Sequence, residues 1–333
     1  MITQAGIIKE IEKILVPDMR IDTTLSVIFL KKNKAYKLKR KIKNNFVDYS
    51  SLQKRREFCI KEFVINKRNS PGLYRAVIFA YRNSDGSLEL AHDAEHNIYS
   101  PTEYMVEMNR FDEDLLLCNL AKNNMLTDDI GYFVAEKIAK MHNAAPTVDV
   151  GDYSEKFLKV VNIIIRQFLD SSYGVLPAAS LSAVPEKLLS AFNNCRNVLR
   201  KRGSMGFIRE CHGDLHLGNI CIFEGSPCIF DAVEFNTEFT HIDTLYDLAF
   251  LNMDLYHHGL PGLAAKIADK YIADTCSDKK DFADLMPLYL GLRTIIRCSI
   301  LAVSSKETLS KKSASTLKGE SVKYYQETLS FLS

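Results

Sequence analysis

The chain of 333 residues is 47% hydrophobic and 25% charged, which is ordinary for a globular protein and argues against general disorder. That length suffices for one large domain or for two lobes with sizeable cores. A net charge of +2 creates no overall field that would draw the protein to nucleic acid or to an anionic membrane, so we expect neither as a partner. We find no apolar run that is long enough to span a bilayer.

The N-terminal sequence and the cysteines bear on the compartment. Apolar and charged residues alternate over residues 7–15 in the pattern of an amphipathic helix rather than of a secretion signal. The eight cysteines are scattered without the spacing of a disulfide framework. We therefore expect reduced thiols and a cytoplasmic protein.

A basic hairpin follows this predicted helix. Residues 25–30 and 35–39 have the composition of strands, with a lysine-rich turn between them. Lys37 and Lys39 lie two positions apart, so their ammonium groups point to the same face of the strand. A solvated edge strand is one interpretation, because lysines protect sheet edges from aggregation. A nucleic-acid patch over residues 31–43 is another, although aromatic residues for base stacking are sparse there.

The next predicted elements are a helix and three strands. The helix over residues 55–68 is largely apolar and carries Glu62, which could also pair within the helix. The strands are expected over residues 73–79, 88–91 and 104–108. Beyond residue 112 the pattern predicts helices over 128–142, 157–169, 185–199, 248–255, 285–303 and 315–332.

The stretch from residue 209 to 231 is the most informative in the chain. Asp214 comes two residues after His212, and Asn219 comes five residues after Asp214. Asp231 stands at the end of the stretch. This spacing supplies one carboxylate that can orient a hydroxyl nucleophile, and an amide with a second carboxylate that can hold magnesium.

A predicted hairpin brings Asp231 back toward the polar loop. Residues Ile220–Phe223 and 228–230 have the composition of short strands, and residues 224–227 that of a turn. The plain alternative is a pair of ordinary core strands joined by a polar loop.

A zinc site is a further alternative for the cysteines and histidines of this stretch, which are Cys211, His212, His216, Cys221 and Cys228. Structural zinc sites usually contain close-spaced pairs such as C-x₂-C, and no such pair is present. Two of the cysteines lie in the predicted strands, where cysteine is usually a small core residue.

The same stretch resembles the active-site motifs of a known kinase family. His-Gly-Asp-Leu-His-Leu-Gly-Asn, residues 212–219, is very similar to the catalytic-loop motif of aminoglycoside phosphotransferase-like kinases. Residues 230–236 resemble their metal-binding segment, in the variant carried by uncharacterised bacterial members of that superfamily. Further similar stretches lie at residues 36–39, 54–56, 59–66 and 247–255. The resemblance spans most of the chain, and it is specific for the fold and the reaction type but not for the acceptor.

The resemblance implies an α+β, protein-kinase-like fold with two lobes. Residues 1–108 would form a small, mostly antiparallel β N-lobe that binds the nucleotide. Residues 109–333 would form a larger helical C-lobe with the catalytic loop and the metal site. The glycine-rich loop that protein kinases carry before the lysine strand is missing, since residues 7–71 contain no glycine.

The resemblance also implies roles for residues of the catalytic stretch and beyond. Asp214 would accept or orient the substrate hydroxyl, and Asn219 and Asp231 would bind Mg²⁺. Asp247 would either accept hydrogen bonds from the catalytic-loop backbone or cap a helix. Arg293 and Arg297, one turn apart on one predicted helix face, would either lie near the acceptor or form surface ion pairs.

In the N-lobe, the resemblance favours Lys37 as the residue that contacts the nucleotide α- and β-phosphates, with Lys39 as the alternative. Glu62 would fix the position of that lysine. Backbone groups around Glu107 and Met108 would meet the adenine edge at a hinge, although a plain edge strand would give the same pattern.

We therefore predict an ATP- and Mg²⁺-dependent phosphotransferase that moves the γ-phosphate to a hydroxyl of a small molecule, which is aminoglycoside-like or another alcohol. The missing glycine loop favours a runner-up, a pseudokinase-like module that binds a nucleotide without transfer. The sequence leaves open ATP versus GTP, the acceptor and the oligomeric state.

Overall fold

The computed structural model of the protein describes residues 3–44, 47–92 and 100–333. The chain divides into two compact units. The first unit consists of Met1–Leu120 and Gly218–Thr240, and the second of Ala121–Leu217 and His241–Ser333. The predicted division at residue 108 differs from this one, because residues 109–120 and 218–240 group with the N-terminal sheet.

The elements follow the chain from a mixed N-terminal part into a mainly helical remainder. The first are α1 (Gln4–Leu15), β1 (Met19–Asp22), β2 (Ser26–Lys31), β3 (Lys34–Lys39), α2 (Leu52–Asn69), β4 (Tyr74–Arg82), β5 (Leu88–Ala91) and β6 (Pro101–Asn109). They are followed by α3 (Leu117–Lys122), α4 (Asp128–Ala144), α5 (Tyr153–Ser172), α6 (Ala178–Ser204), β7 (Ile208–Glu210), β8 (Ile220–Phe223), β9 (Ser226–Ile229) and α7 (Thr237–Thr240). The last are β10 (His241–Asp243), α8 (Thr244–His257), α9 (Pro261–Thr275), α10 (Lys279–Glu307) and α11 (Lys311–Phe331).

The first unit is built on an antiparallel sheet. Its described strands lie in the order β1-β2-β3-β6-β4-β5, and every neighbouring pair is antiparallel. Ile7, Ile11 and Leu15 recur at helical spacing and bury the inner face of α1. They belong to one apolar cluster with Val27 and Leu38 from the sheet, so α1 covers one side of it.

Helix α2 presents a polar face to the interior, and the prediction that it is largely apolar is wrong. Its buried positions are Arg55, Cys59, Glu62, Asn66 and Asn69. Charged groups are buried only where they are paired. The Arg55 guanidinium accordingly forms two hydrogen bonds of 2.9 Å, from Nε and from Nη2, to the buried carboxylate of Glu103 on β6.

The β8–β9 hairpin explains why residues 218–240 belong to the first unit. Its strands pair with Ile220 opposite Ile229, and a two-residue turn joins them. Glu224 and Gly225 in that turn have φ of 49° and 76°, as the primed hairpin turns require. The Ser70 hydroxyl at the end of α2 donates a 2.8 Å hydrogen bond to the carbonyl of Ile229, which ties the hairpin to the helix.

The second unit is helical apart from the short pair β7 and β10. Helix α10 contacts α5, α6, α8 and α11 and forms the centre of the unit. Helix α6 begins at Ala178 and runs through Pro185, so it is longer than predicted. Asp243 caps α8 by accepting a 2.8 Å hydrogen bond from the amide of Leu245, which places Asp247 inside the helix rather than at its cap.

Helix α10 also bears on the expectation that no segment spans a membrane. Among the described residues it is the one helix that is long and apolar enough to do so by length and composition. However, 67% of its most apolar window is buried inside the protein. That burial is typical of the core helix of a globular unit.

Loss of one partner from the buried ion pair between α6 and the start of α8 should strongly destabilise the second unit. Arg202 and Asp243 are both fully buried and joined by hydrogen bonds of 2.6 and 2.7 Å. Arg202→Ala leaves an unpaired buried carboxylate, and we expect it to lower the free energy of unfolding by about 3–5 kcal/mol. The control is Arg200→Ala, which breaks an exposed pair with Asp152 and should cost less than about 1 kcal/mol. Equal midpoints of the two variants in urea denaturation would contradict the assignment.

Candidate active site

Strand β3 places two lysines of different exposure on one face. The side chain of Lys37 is 12% exposed and that of Lys39 is 2% exposed. Leu38 between them points to the opposite face and is fully buried in the cluster that contains α1. The predicted common direction of the two ammonium groups follows from this alternation.

Glu62 of α2 lies between the two ammonium groups. Its Oε2 is 2.5 Å from the Lys39 Nζ, and its Oε1 is 2.9 Å from the Lys37 Nζ. Burial alone would raise the pKa of the fully buried Glu62 carboxyl, but the charges of Lys37 and Lys39 outweigh it and lower the pKa to about 2. Glu62 is therefore ionised and pairs with both lysines. This pairing alone does not distinguish Lys37 from Lys39 as the residue that would contact a nucleotide.

Lys37 also forms an ion pair with Asp231, so Lys37, Glu62 and Asp231 come together in the first unit. Asp231 has a left-handed backbone, with φ of 61°, and its amide donates a 3.1 Å hydrogen bond to the Tyr74 hydroxyl. The next amide, that of Ala232, donates to the Asn66 side chain at 3.0 Å. These bonds fix the strained turn that presents the Asp231 carboxylate.

Lys39 has a second carboxylate partner that the sequence reasoning missed. It is Glu234, which forms an ion pair with Lys39 and accepts a 2.5 Å hydrogen bond from the Tyr49 hydroxyl. The side chain of Glu234 is 4% exposed. A signal was present in the sequence. Strand β3 carries two lysines, and the segment after β9 carries two acidic residues, Asp231 and Glu234, so each lysine has one possible acidic partner there.

Asn219 lies beside Asp231 at the open end of the β8–β9 hairpin. The amide of Phe230 donates a 3.0 Å hydrogen bond to the carbonyl of Asn219, so the residue before Asp231 pairs with Asn219. Carboxylate and amide oxygens are the ligands that Mg²⁺ prefers. The ammonium group of Lys37 against Asp231 shows that this carboxylate accommodates a cation. The chemistry of the donors therefore fits the metal that the motif implies.

In the second unit, Asp247 supports the backbone of the loop at His212 and Gly213. Its carboxylate accepts hydrogen bonds of 2.9 Å from the amides of both His212 and Gly213, and it lies 3.1 Å from Nε2 of His142. Gly213 has φ of 83°, a conformation that glycine adopts without strain. Burial raises the pKa of Asp247, but the hydrogen bond with His142 and the charges around it lower the pKa below its ordinary value. Of the two roles considered for Asp247, support of the loop is correct and helix capping is wrong.

Asp214 follows this anchored turn. Its carboxylate is 42% exposed, and Oδ2 lies 3.5 Å from Nε2 of His216. Partial burial raises the pKa of the Asp214 carboxyl, but the hydrogen bond with His216 and the charges of His216, His212 and Arg293 lower it to about 2. Asp214 is therefore ionised at neutral pH and can accept a hydrogen bond from a hydroxyl group.

Arg293 of α10 packs against two aromatic side chains of α8. Its guanidinium stacks over the rings of Tyr246 and Phe250, at 4.0 and 4.8 Å from their centroids, and donates to the Tyr246 carbonyl. Because Arg293 is only 7% exposed, the surface ion pair considered for it is wrong. Contact with an acceptor stays a prediction.

Glu107 and Met108 lie in the middle of the sheet. They belong to β6, which pairs with β3 on one side and β4 on the other, so the edge-strand alternative is wrong. The Glu107 carboxylate is held by Lys34 at 2.8 Å and by His92 at 2.9 Å. Their backbone contact with an adenine stays a prediction.

The described residues contain one cluster of possible metal ligands of the His, Cys and carboxylate type, formed by His142, Cys211 and Asp247. Its atoms already have other partners, since His142 also bonds Tyr271 at 2.8 Å and Asp247 holds two amides. Burial raises the pKa of the Cys211 thiol well above its ordinary value, so the thiolate that a metal requires is disfavoured. This cluster is a structural network, and it shares only Cys211 with the zinc ligands that we considered from the sequence.

Similar sequences come from mycobacteria. Uncharacterised proteins of Mycobacterium tuberculosis and Mycobacterium bovis are each 24% identical to the chain over 287 residues, which is 85% of it. The chain spans about half of the length of these relatives, 54%. No family model matches the chain.

Similar structures are small-molecule kinases. An aminoglycoside phosphotransferase in complex with GDP and kanamycin superposes with a TM-score of 0.57 at 12% identity, covering 97% of this chain and 98% of its own. A choline kinase from Cryptosporidium parvum gives 0.55 at 11% identity, covering 98% of this chain and 96% of its own. The protein has the aminoglycoside phosphotransferase-like fold.

This protein-kinase-like fold confirms the predicted fold class, with an antiparallel N-terminal sheet and a larger helical part. A microcompartment-associated aminopropanol kinase shares it, with a TM-score of 0.52 at 13% identity, covering 98% of this chain and 97% of its own. The resemblance drawn from residues 212–219 and 230–236 is thereby confirmed for the fold.

The support of the loop at His212 and Gly213 by Asp247 can be tested by hydrogen exchange. Asp247→Asn replaces a charged acceptor of two amides by a neutral group. Hydrogen bonds to charged groups contribute about 1.5–3 kcal/mol, so the amides of His212 and Gly213 should exchange roughly 10- to 100-fold faster. Asp129→Asn, at an exposed position of α4, is the control. Unchanged exchange at the two amides would show that Asp247 does not hold the loop.

The lowered pKa of Glu62 predicts how acid acts on the first unit. A carboxyl whose pKa falls from 4.5 to about 2 on folding stabilises the protein above pH 4.5, and that contribution is lost as the pH falls toward 2. Glu62→Gln should therefore lower the free energy of unfolding most near neutral pH, and its difference from the wild type should shrink below pH 4.5. Urea denaturation across this range measures both, with Glu57→Gln on the exposed face of α2 as the control. A difference that is constant with pH would refute the assignment.

Proposed function

We propose that the protein is a cytoplasmic, ATP- and Mg²⁺-dependent phosphotransferase that moves the γ-phosphate to a hydroxyl group of a small molecule. The observation that carries this proposal is the contact of Lys37 with both Glu62 and Asp231. A lysine paired with a helix carboxylate and close to a metal-binding carboxylate is what phosphoryl transfer by this kind of fold requires.

The names of the similar structures support a small-molecule acceptor. They include a phosphotransferase bound to GDP and kanamycin, a choline kinase and an aminopropanol kinase. The fold serves several different acceptors, so the acceptor of this protein has to be read from its own residues.

Asn219 and Asp231 would hold Mg²⁺, which neutralises charge on the transferring phosphate when it is bound. Lys37 would exchange its contact with Asp231 for the α- and β-phosphate oxygens, while Glu62 keeps the ammonium group in place. Backbone groups around Glu107 and Met108 would meet the adenine.

Asp214 would act on the acceptor. With a pKa of about 2 it is a carboxylate that accepts a hydrogen bond from the acceptor hydroxyl and orients the oxygen. It would take up the proton as the bond from this oxygen to the γ-phosphorus forms, while the bond from the γ-phosphorus to the β–γ bridging oxygen breaks and ADP leaves. His216 at 3.5 Å and the loop anchored by Asp247 hold that carboxylate in position. Positioning and electrostatics then supply most of the rate, because the phosphoryl group itself demands little covalent chemistry.

A nucleotide-binding module without transfer activity is the second candidate. It is favoured by the absence of glycine from residues 7–71, where protein kinases carry a loop that covers the phosphates. A rise of the melting temperature with Mg-ATP, without formation of ADP in the presence of any metabolite pool, would favour this candidate over the phosphotransferase.

Replacement of Asp214 tests the proposed reaction. The acceptor is first sought by incubating the protein with ATP and metabolite pools and detecting the mass gain of one phosphoryl group. Asp214→Ala should then reduce transfer by roughly 10²- to 10⁴-fold, since it removes the proton acceptor, and leave Mg-ATP binding intact. Asp269→Asn, an exposed position of α9, is the matched control and should behave as the wild type. Full turnover by Asp214→Ala would remove Asp214 from the mechanism.

A further inference from the structure

The two lysines of β3 have unequal surroundings. Lys37 is the more exposed, and its partner Asp231 is 43% exposed, so both can meet a ligand. Lys39 is enclosed by Glu62, Glu234 and the ring of Tyr49, whose centroid lies 5.0 Å from its ammonium group. Lys39 can leave these partners only by giving up several buried contacts at once.

Charge balance explains why Glu234 is needed. Glu62 offers one oxygen to each lysine, Oε1 to Lys37 and Oε2 to Lys39. If Lys39 shared the single negative charge of Glu62 with Lys37 and had no other partner, the positive charge of its buried ammonium group would be only partly neutralised. Glu234 supplies the missing negative charge to Lys39 and thereby leaves an oxygen of Glu62 for Lys37.

The ion pair between Lys39 and Glu234 also fixes the position of the segment that carries Asp231. Asp231 and Glu234 are three residues apart, and they bind lysines that are two residues apart on one strand. The segment is therefore tied to β3 at both ends, and the Tyr49 hydroxyl holds its distal end a second time, at 2.5 Å from Glu234.

We infer that Glu234 is a positioning residue, which acts through Lys39 to hold the Asp231 carboxylate where a divalent cation binds. This inference rests on the proposed function of Asp231. It also divides the work between the lysines, since Lys39 anchors the segment while Lys37 exchanges Asp231 for phosphate. Groups that orient a metal ligand from behind typically change metal affinity by 10- to 100-fold when they are replaced.

The test measures cation binding directly, with Mn²⁺ as the probe. Free Mn²⁺ is followed by electron paramagnetic resonance in the presence of ADP, and ADP binding is measured separately with the metal chelated. Glu234→Gln keeps the shape of the side chain and an oxygen for Tyr49 but removes the charge. We expect Mn²⁺ affinity to fall by roughly 10- to 100-fold, with metal-free ADP affinity unchanged. Glu238→Gln, an exposed position four residues further on, should match the wild type.

Two further variants test whether Glu234 affects Mn²⁺ binding through its contact with Lys39. If Glu234 acts through Lys39, the double variant Lys39→Met, Glu234→Gln binds Mn²⁺ no more weakly than Lys39→Met alone. Tyr49→Phe removes only the hydroxyl and should give a smaller loss in the same direction, which keeps the test available if Glu234→Gln does not fold.

The outcomes separate this inference from the proposed function. Wild-type Mn²⁺ affinity in Glu234→Gln, an equal loss of metal-free ADP binding, or full additivity with Lys39→Met would overturn the inference and leave the phosphotransferase standing. A wild-type protein that binds neither Mn²⁺ nor ADP would overturn both.

Discussion

The pairing of the buried Glu62 carboxylate with Lys37 and Lys39 is the interaction on which the organisation of the first unit depends. The carboxylate is fully buried between two ammonium groups, and none of these charges is stable in the interior without the others. This explains why the buried face of α2 is polar, and why β3 carries two lysines at positions that an ordinary core would fill with apolar side chains. The helix is held to the sheet by these charges in addition to the apolar packing of Cys59, Leu52 and Phe63.

The sequence patterns predicted most of the sheet because several of its strands are short, largely apolar runs bounded by turn residues, and β6 has six consecutive buried residues. They failed where burial has another cause. Helix α2 was expected to bury apolar residues, yet Val64 is 59% exposed while Glu62 and Asn66 are fully buried. Periodicity analysis assumes that apolar side chains face inward, so it cannot find a face that is buried by ion pairing. Strand β1 was not anticipated because its four residues lie mostly at the surface and show no alternation.

The candidate site could be predicted only as far as local spacing reaches. The positions of Asp214, Asn219 and Asp231 follow from one short motif. The partners that hold them do not, because Lys37, for example, lies 194 residues from Asp231. Spacing along a chain carries no information about such contacts. The two roles considered for Asp247 were likewise equivalent in sequence, and they are separated by the structure, in which Asp243 caps the helix and Asp247 lies inside it.

Glu62 in the first unit and Asp247 in the second are stabilised in the same way. Each is a buried carboxylate whose cost of burial is offset by fixed donors or cations, and in each the pKa is lower than usual despite that burial. Groups that are oriented in this way before a ligand arrives need no rearrangement when charge develops on it, which is the main source of electrostatic catalysis. The energy that orients them comes from folding. A site of this kind is therefore expected to tolerate changes in its apolar surroundings better than the loss of a single countercharge.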